Sequence, residues 1–137
     1  MLLGKLIHPE ILEALGRAGH NSKILIADGN YPFATAIGPR ARQVFLNLSP
    51  GLVSVTDVLS VLVTAIPIEA ASVMMPPDGP VPIFAEFSAL LPPDLELAPL
   101  ERHAFYAAAS DERVALLIAT GEQRLYANIL LTIGVVL

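Results

Sequence analysis

The residues with the chemistry to do work in this chain fall in three distant places. His20 follows Gly19 directly, and Asp28 closes the apolar run Ile24-Leu25-Ile26-Ala27. A helix ending at Gly19 would set the imidazole at its carbonyl end, where positive charge is favoured. That location suits an acid/base group working near neutral pH. It equally suits a surface cap that bonds the last carbonyls. Ligands collect at the carboxyl ends of strands in α/β folds, which makes Asp28 a binding candidate. Asp-Gly is also a common turn pair. The second place is Arg102-His103-Ala104-Phe105-Tyr106, which opens a helix. Cations at a helix start oppose its dipole, so they are either kept for a purpose or simply solvated. Tyr106 could offer a ring face or a hydroxyl to a ligand, or pack in the core. The third place is Thr120-Gly121-Glu122 through Tyr126-Ala127-Asn128. Asn128 both donates and accepts, which suits a polyol as well as a turn. Glu122 reads as a supporting carboxylate or as a plain surface charge. His8, before Pro9, reads as structural or interfacial. The chemistry on offer is proton transfer on a small polar ligand.

Several function classes drop out. The three histidines lie far apart with no His-x-x-x-His spacing, so no metal site is expected. No Gly-x-Gly-x-x-Gly, P-loop lysine or Gly-x-Ser-x-Gly elbow is present. Cysteine is absent, which removes disulfides and thiolate chemistry. The net charge is -5 and the eight basic residues are scattered singly, which argues against nucleic acid and anionic membranes. No apolar stretch reaches the roughly 18 residues of a membrane span. The N-terminal residues lack a charged-then-apolar signal pattern, so the expectation is a soluble cytoplasmic protein.

Alternating helices and strands must hold these groups. Pro9 suits the first turn of a helix that runs to Ala18 and stops at Gly19. Lys23–Ala27 is short and branched, a buried strand. Asp28 to Pro32 is turn chemistry. Gln43–Leu48 predicts a second strand. Ser54 or Thr56 caps a helix with Asp57 in its first turn, and Pro67 ends it. Ile68–Met75 predicts a strand, Pro82–Leu91 a helix and Glu101–Ser110 an alanine-rich helix. Arg113–Ala119 and Asn128–Val136 are the last strands. The expected class is α/β: one domain over 1–137, with a mixed or parallel sheet covered by helices on both faces. Hydrophobic residues make up 54% and charged ones 15%, too few charges to cover a lone monomer comfortably, so homo-oligomerisation is expected.

Taken in order, these fragments resemble the ribose pyranase and fucose mutarotase family of small sugar-handling proteins. The likeness runs over nearly the whole chain. It rests on Ala18-Gly19-His20, the strand to Asp28, Gly51 to Asp57-Val58-Leu59, Val73-Met74-Met75, Arg102-x-x-Phe105-Tyr106, Thr120-Gly121-Glu122, Tyr126-Ala127-Asn128 and Gly134-Val135. The resemblance implies that His20 is the catalytic acid/base and that Asp28, Arg102 and Tyr126-Ala127-Asn128 bind a monosaccharide. Tyr106 and Glu122 would support them. An arginine at position 102, followed by Ala104-Phe105-Tyr106, looks like the fucose branch; the ribose branch has a histidine there. Thr132-Ile133 departs from the usual lysine before Gly134-Val135. The family also implies ring-like homo-oligomers, decamers among them, with sites completed across subunits, and no cofactor.

The reaction so implied is anomer exchange. The ring oxygen gains a proton while the anomeric hydroxyl loses one, the C1–O bond opens to an aldehyde, and the ring recloses on the other face. A positioned acid/base is worth roughly 10²–10⁴ in rate. Two other readings stand beside it: a ribose-type pyranase that interconverts pyranose and furanose forms, and a non-catalytic sugar-binding protein linked to uptake.

Overall fold

The computed structural model describes all residues, 1–137. Ten elements follow in order: α1 (Pro9–Ala18), β1 (Lys23–Ala27), β2 (Arg42–Phe45), α2 (Val55–Leu62), β3 (Ile68–Met74), α3 (Ile83–Leu90), β4 (Leu97–Leu100), α4 (Arg102–Ala109), β5 (Val114–Ala119) and β6 (Ile129–Ile133). The six strands form one sheet in the order β2-β5-β1-β6-β3-β4. β2, β5 and β1 run parallel, as do β3 and β4, while β6 lies antiparallel to both β1 and β3. Five strands therefore point one way and β6 alone points back.

Local signals explain most element ends. Pro9 takes the first position of α1, and His8 caps it by accepting a 3.4 Å hydrogen bond from the Ile11 amide at Nδ1, so this imidazole is structural. Gly19 stops α1 with φ 77°, a conformation that side chains resist. Of the two candidate caps for α2, Ser54 is the one used: its hydroxyl accepts from the Asp57 amide, and the Asp57 carboxylate accepts from the Ser54 amide. At α4 the Glu101 carboxylate accepts from the Ala104 amide at 2.7 Å. Its negative charge offsets the positive charge of Arg102, which opens the helix.

The sheet side chains alternate between two cores. Ile24, Ile26, Leu116, Ile118, Ile129 and Leu131 face α1, α2 and α3. Leu25, Ala27, Leu117 and Leu130 face the other way, against Phe105 and Ala109 of α4 and against Tyr31 and Ala36. Helices thus cover both faces, three on one and one on the other. The sequence reading misses β4 altogether. Pro99 sits in it, tolerated because β4 is an edge strand that pairs with β3 alone. β2 ends at Phe45 rather than Leu48, and β6 ends at Ile133, because the Gly134 amide leaves the ladder to bond the Pro67 carbonyl. No helix is long and apolar enough to cross a membrane.

Candidate active site

Strand direction decides what meets. The carboxyl ends of β1, β3 and β4 and the amino end of β6 share one edge of the sheet. That edge receives Asp28 just after β1, Met74 at the end of β3, Arg102 just after β4, and Tyr126 and Asn128 just before β6. Together with Asn30, Tyr31, Tyr106 and Leu125 they line a hollow of about 150 Å³. Its floor is polar, its walls are aromatic and aliphatic, and it holds one guanidinium.

The floor is a buried pair. The Asn128 Oδ1 accepts from the Asp28 amide at 2.7 Å, and the Asn128 Nδ2 donates to the Asp28 Oδ2 at 3.1 Å. Both residues are buried, at 4% and 3% exposure. The Asp28 Oδ1 accepts from the Asn30 amide at 3.0 Å, so the turn role and the site role of Asp28 coexist. Burial raises the Asp28 pKa above its ordinary value, against the pull of hydrogen bonds from the Asn30, Ala127 and Tyr31 backbone and the Asn128 side chain. A carboxylate so placed can accept a hydrogen bond from a hydroxyl in the hollow.

The walls are aromatic. Tyr106 meets Tyr31 edge-on with ring centroids 5.6 Å apart, and the Arg102 guanidinium carbon stands 5.9 Å from the Tyr106 ring centre. The Tyr31 hydroxyl donates to the Ala36 carbonyl at 2.7 Å, and burial pushes its pKa upward. Tyr31 is therefore a fixed neutral wall, not a proton carrier. Met74 and Leu125 close the hollow with apolar surface.

Three of the residues singled out from the sequence lie elsewhere. Ala127 is fully buried and contributes only its backbone beside Asp28. Glu122 is 5% exposed, which rules out a plain surface charge. Burial opposes its ionisation, but hydrogen bonds and charge from Arg124 and an amide bond from Val55 outweigh that and leave its pKa lowered. It sits behind the hollow, not in it. His20 lies at the opposite edge of the sheet, before β1, and its separation from Asp28 includes the whole of that strand, about 13 Å at about 3.3 Å per residue. No imidazole spans that gap, so one chain does not unite His20 with Asp28. Nor does His20 bond the last carbonyls of α1. Its Nε2 meets both carboxylate oxygens of Glu69, at 3.1 and 3.2 Å, and both side chains are half-exposed. Glu69 opens β3 at the same edge, and Gly134 beside it leaves the space its side chain occupies.

Sequence reasoning missed Asn30, Tyr31, Met74, Leu125 and Glu69. Asn30 and Tyr31 were hidden in a turn and Met74 in a strand. The pairing of Glu69 with His20 depends on β6 lying between β1 and β3, which no local pattern encodes. No group of three or more His, Asp or Glu side chains converges to hold a metal ion.

The profile of the RbsD / FucU transport protein family matches residues 1–136. The chain belongs to this family. A fucose mutarotase of Danio rerio is 31% identical over 93% of the chain and 88% of that protein. A D-ribose pyranase of Variovorax paradoxus is 32% identical over 95% of each. Among solved structures, Bacillus subtilis RbsD complexed with D-ribose covers 100% of both chains with a TM-score of 0.85 at 25% identity.

Proposed function

We propose that this chain is a cofactor-free monosaccharide mutarotase acting on an L-fucose-like sugar, with His20 of a neighbouring copy as its acid/base. The observation that carries the reading is the composition of the hollow: a buried Asp28–Asn128 floor, the Arg102 fork, three tyrosines and the apolar pair Met74 and Leu125. A monosaccharide presents hydroxyls on its rim and an apolar ring face. Arg102 donates paired hydrogen bonds to adjacent hydroxyls. Asp28 accepts from another, and Tyr126 stacks on the ring face. Met74 and Leu125 suit a methyl group better than a hydroxymethyl, which favours a 6-deoxy sugar.

The hollow itself holds no imidazole, and its Tyr31 is locked by the hydrogen bond to Ala36. Imidazole has the ordinary pKa for a two-way proton shuttle. His20 is half-exposed at the far edge and steadied by Glu69, which leaves its imidazole open to meet another copy. In this reading the imidazolium protonates the ring oxygen, a base in the hollow or solvent takes the anomeric proton, and the C1–O bond opens. Rotation about C1–C2 and reclosure return the protons. Glu69 balances the positive charge while the ring holds the proton. The family likeness and the apolar surface of the chain support an oligomer that brings the two edges together.

The test is saturation transfer by NMR between the anomers of L-fucose. The wild type should speed exchange, and His20→Ala and Asp28→Asn should each lose roughly 10²–10⁴ of that rate. Mixed assemblies of the two inactive variants should regain part of the activity, because some sites then carry one intact His20 and one intact Asp28. Undiminished exchange in His20→Ala would sink the acid/base role. No recovery in proven mixed assemblies would sink the shared site. A second reading, a ribose-type pyranase, draws on the closeness of fold to the ribose-bound RbsD structure. Faster pyranose–furanose exchange with ribose than anomer exchange with fucose would select it.

A further inference from the structure

The connection from β5 to β6 supplies two walls of the hollow, Leu125 and Tyr126. Yet between Gln123 and Ala127 it belongs to no strand, and apart from a local turn at Leu125–Tyr126 its backbone bonds to no other element. Tyr126 also has φ 60°, a left-handed conformation that a bulky side chain keeps only under constraint from its surroundings. Something other than the ladder must hold this stretch.

The side chain of Arg124 is placed to do so. Its Nε donates to the Glu122 Oε2 at 3.2 Å and its Nη2 to the Glu122 Oε1 at 2.8 Å, a forked pair. Its Nη1 donates to Glu86 of α3 at 2.6 Å, and its Nη2 also donates to the Thr56 hydroxyl of α2 at 3.3 Å. Glu122 in turn accepts from the Gln123 and Arg124 amides and from the Val55 amide at the start of α2. One guanidinium thus bolts the loop to two helices. It does not line the hollow.

We infer that Arg124 is a positioning residue: its clasp on Glu122, Glu86 and Thr56 holds Leu125 and Tyr126 over the hollow and so sets the affinity for sugar. The second half of this statement rests on the hollow being the monosaccharide site; the first half does not.

The experiment compares the wild type with Arg124→Met, Arg124→Lys and Glu86→Gln, with Arg42→Met as a control, since Arg42 pairs with Glu13 and Glu10 far from the site. Two quantities are read: the heteronuclear ¹⁵N NOE of the amides of residues 125–127, and KM and kcat for anomer exchange of L-fucose. Arg124→Met should loosen residues 125–127 and raise KM about tenfold with kcat within about twofold, the mark of lost binding rather than lost chemistry. Arg124→Lys, a point charge without the fork, should recover part of both. Arg42→Met should change neither. Amides of 125–127 as rigid in Arg124→Met as in the wild type would overturn the clasp, and so would an unchanged KM with a loosened loop. If Arg124→Met does not fold, Arg124→Lys and Glu86→Gln carry the same comparison. If the wild type speeds exchange of no sugar, the functional reading falls, and the NOE alone decides the clasp.

Discussion

Asn128→Asp changes one NH₂ to an oxygen at the centre of the site and should make stability fall more steeply with rising pH. The new oxygen would face the Asp28 Oδ2 across the 3.1 Å of the present bond. Two negative charges at that separation repel by about 5 kcal/mol at an effective dielectric of about 20. Keeping one carboxyl protonated at pH 7, about three units above its ordinary pKa, costs about 4 kcal/mol. The proton is therefore kept, and an O–H replaces the N–H as donor to Asp28. Asp28 already has the same sign in the wild type, since burial raises its folded pKa. Its contribution is full below the unfolded carboxylate pKa and fades as pH climbs through the folded one. In the variant the folded pair holds one proton more than the unfolded chain, so the gap to wild type widens by up to about 1.4 kcal/mol per pH unit. Near pH 4 the two proteins should be close in stability. By pH 7 the variant should be about 4 kcal/mol weaker, a loss of about 14 °C at about 3.5 °C per kcal/mol for a chain of this length. Thermal unfolding of both proteins at matched concentration from pH 4 to 8 measures this. A gap that is constant or narrows with pH would refute the buried pair as the origin.

Two further changes test the scaffold. Gly121→Ala should destabilise by about 1–3 kcal/mol in urea titrations, because a Cβ there runs into the carbonyl oxygens of Ser49 and Leu52, which are backbone and cannot swing aside. Ser54→Ala removes one half of the capping box on α2 and should cost about 1 kcal/mol, or about 3.5 °C in calorimetry.

The sequence by itself determined much of the secondary structure and the identity of the polar groups. Pro9 and Gly19 bound α1, Ser54 with Asp57 starts α2, and the buried runs at 23–27 and 114–119 are strands, because capping, turn and burial preferences act within a few residues. The candidate residues Asp28, Arg102, Tyr126 and Asn128 were legible because they stand at element ends, and Tyr106 because helical spacing sets it one turn from Arg102. Only the tertiary structure decided which of them meet. β4 stayed hidden because Pro99 contradicts strand propensity, and an edge position that excuses it is a property of the sheet. Glu122 reads in sequence as a supporting carboxylate or a surface charge, and only its burial against Arg124 and α2 excludes the second. His20 and Asp28 lie eight positions apart in the chain, yet β1 sends them to opposite edges, while Asp28 and Asn128, a hundred positions apart, share two hydrogen bonds. Strand direction and order come from long-range pairing, and a short stretch of sequence holds no record of its distant partner.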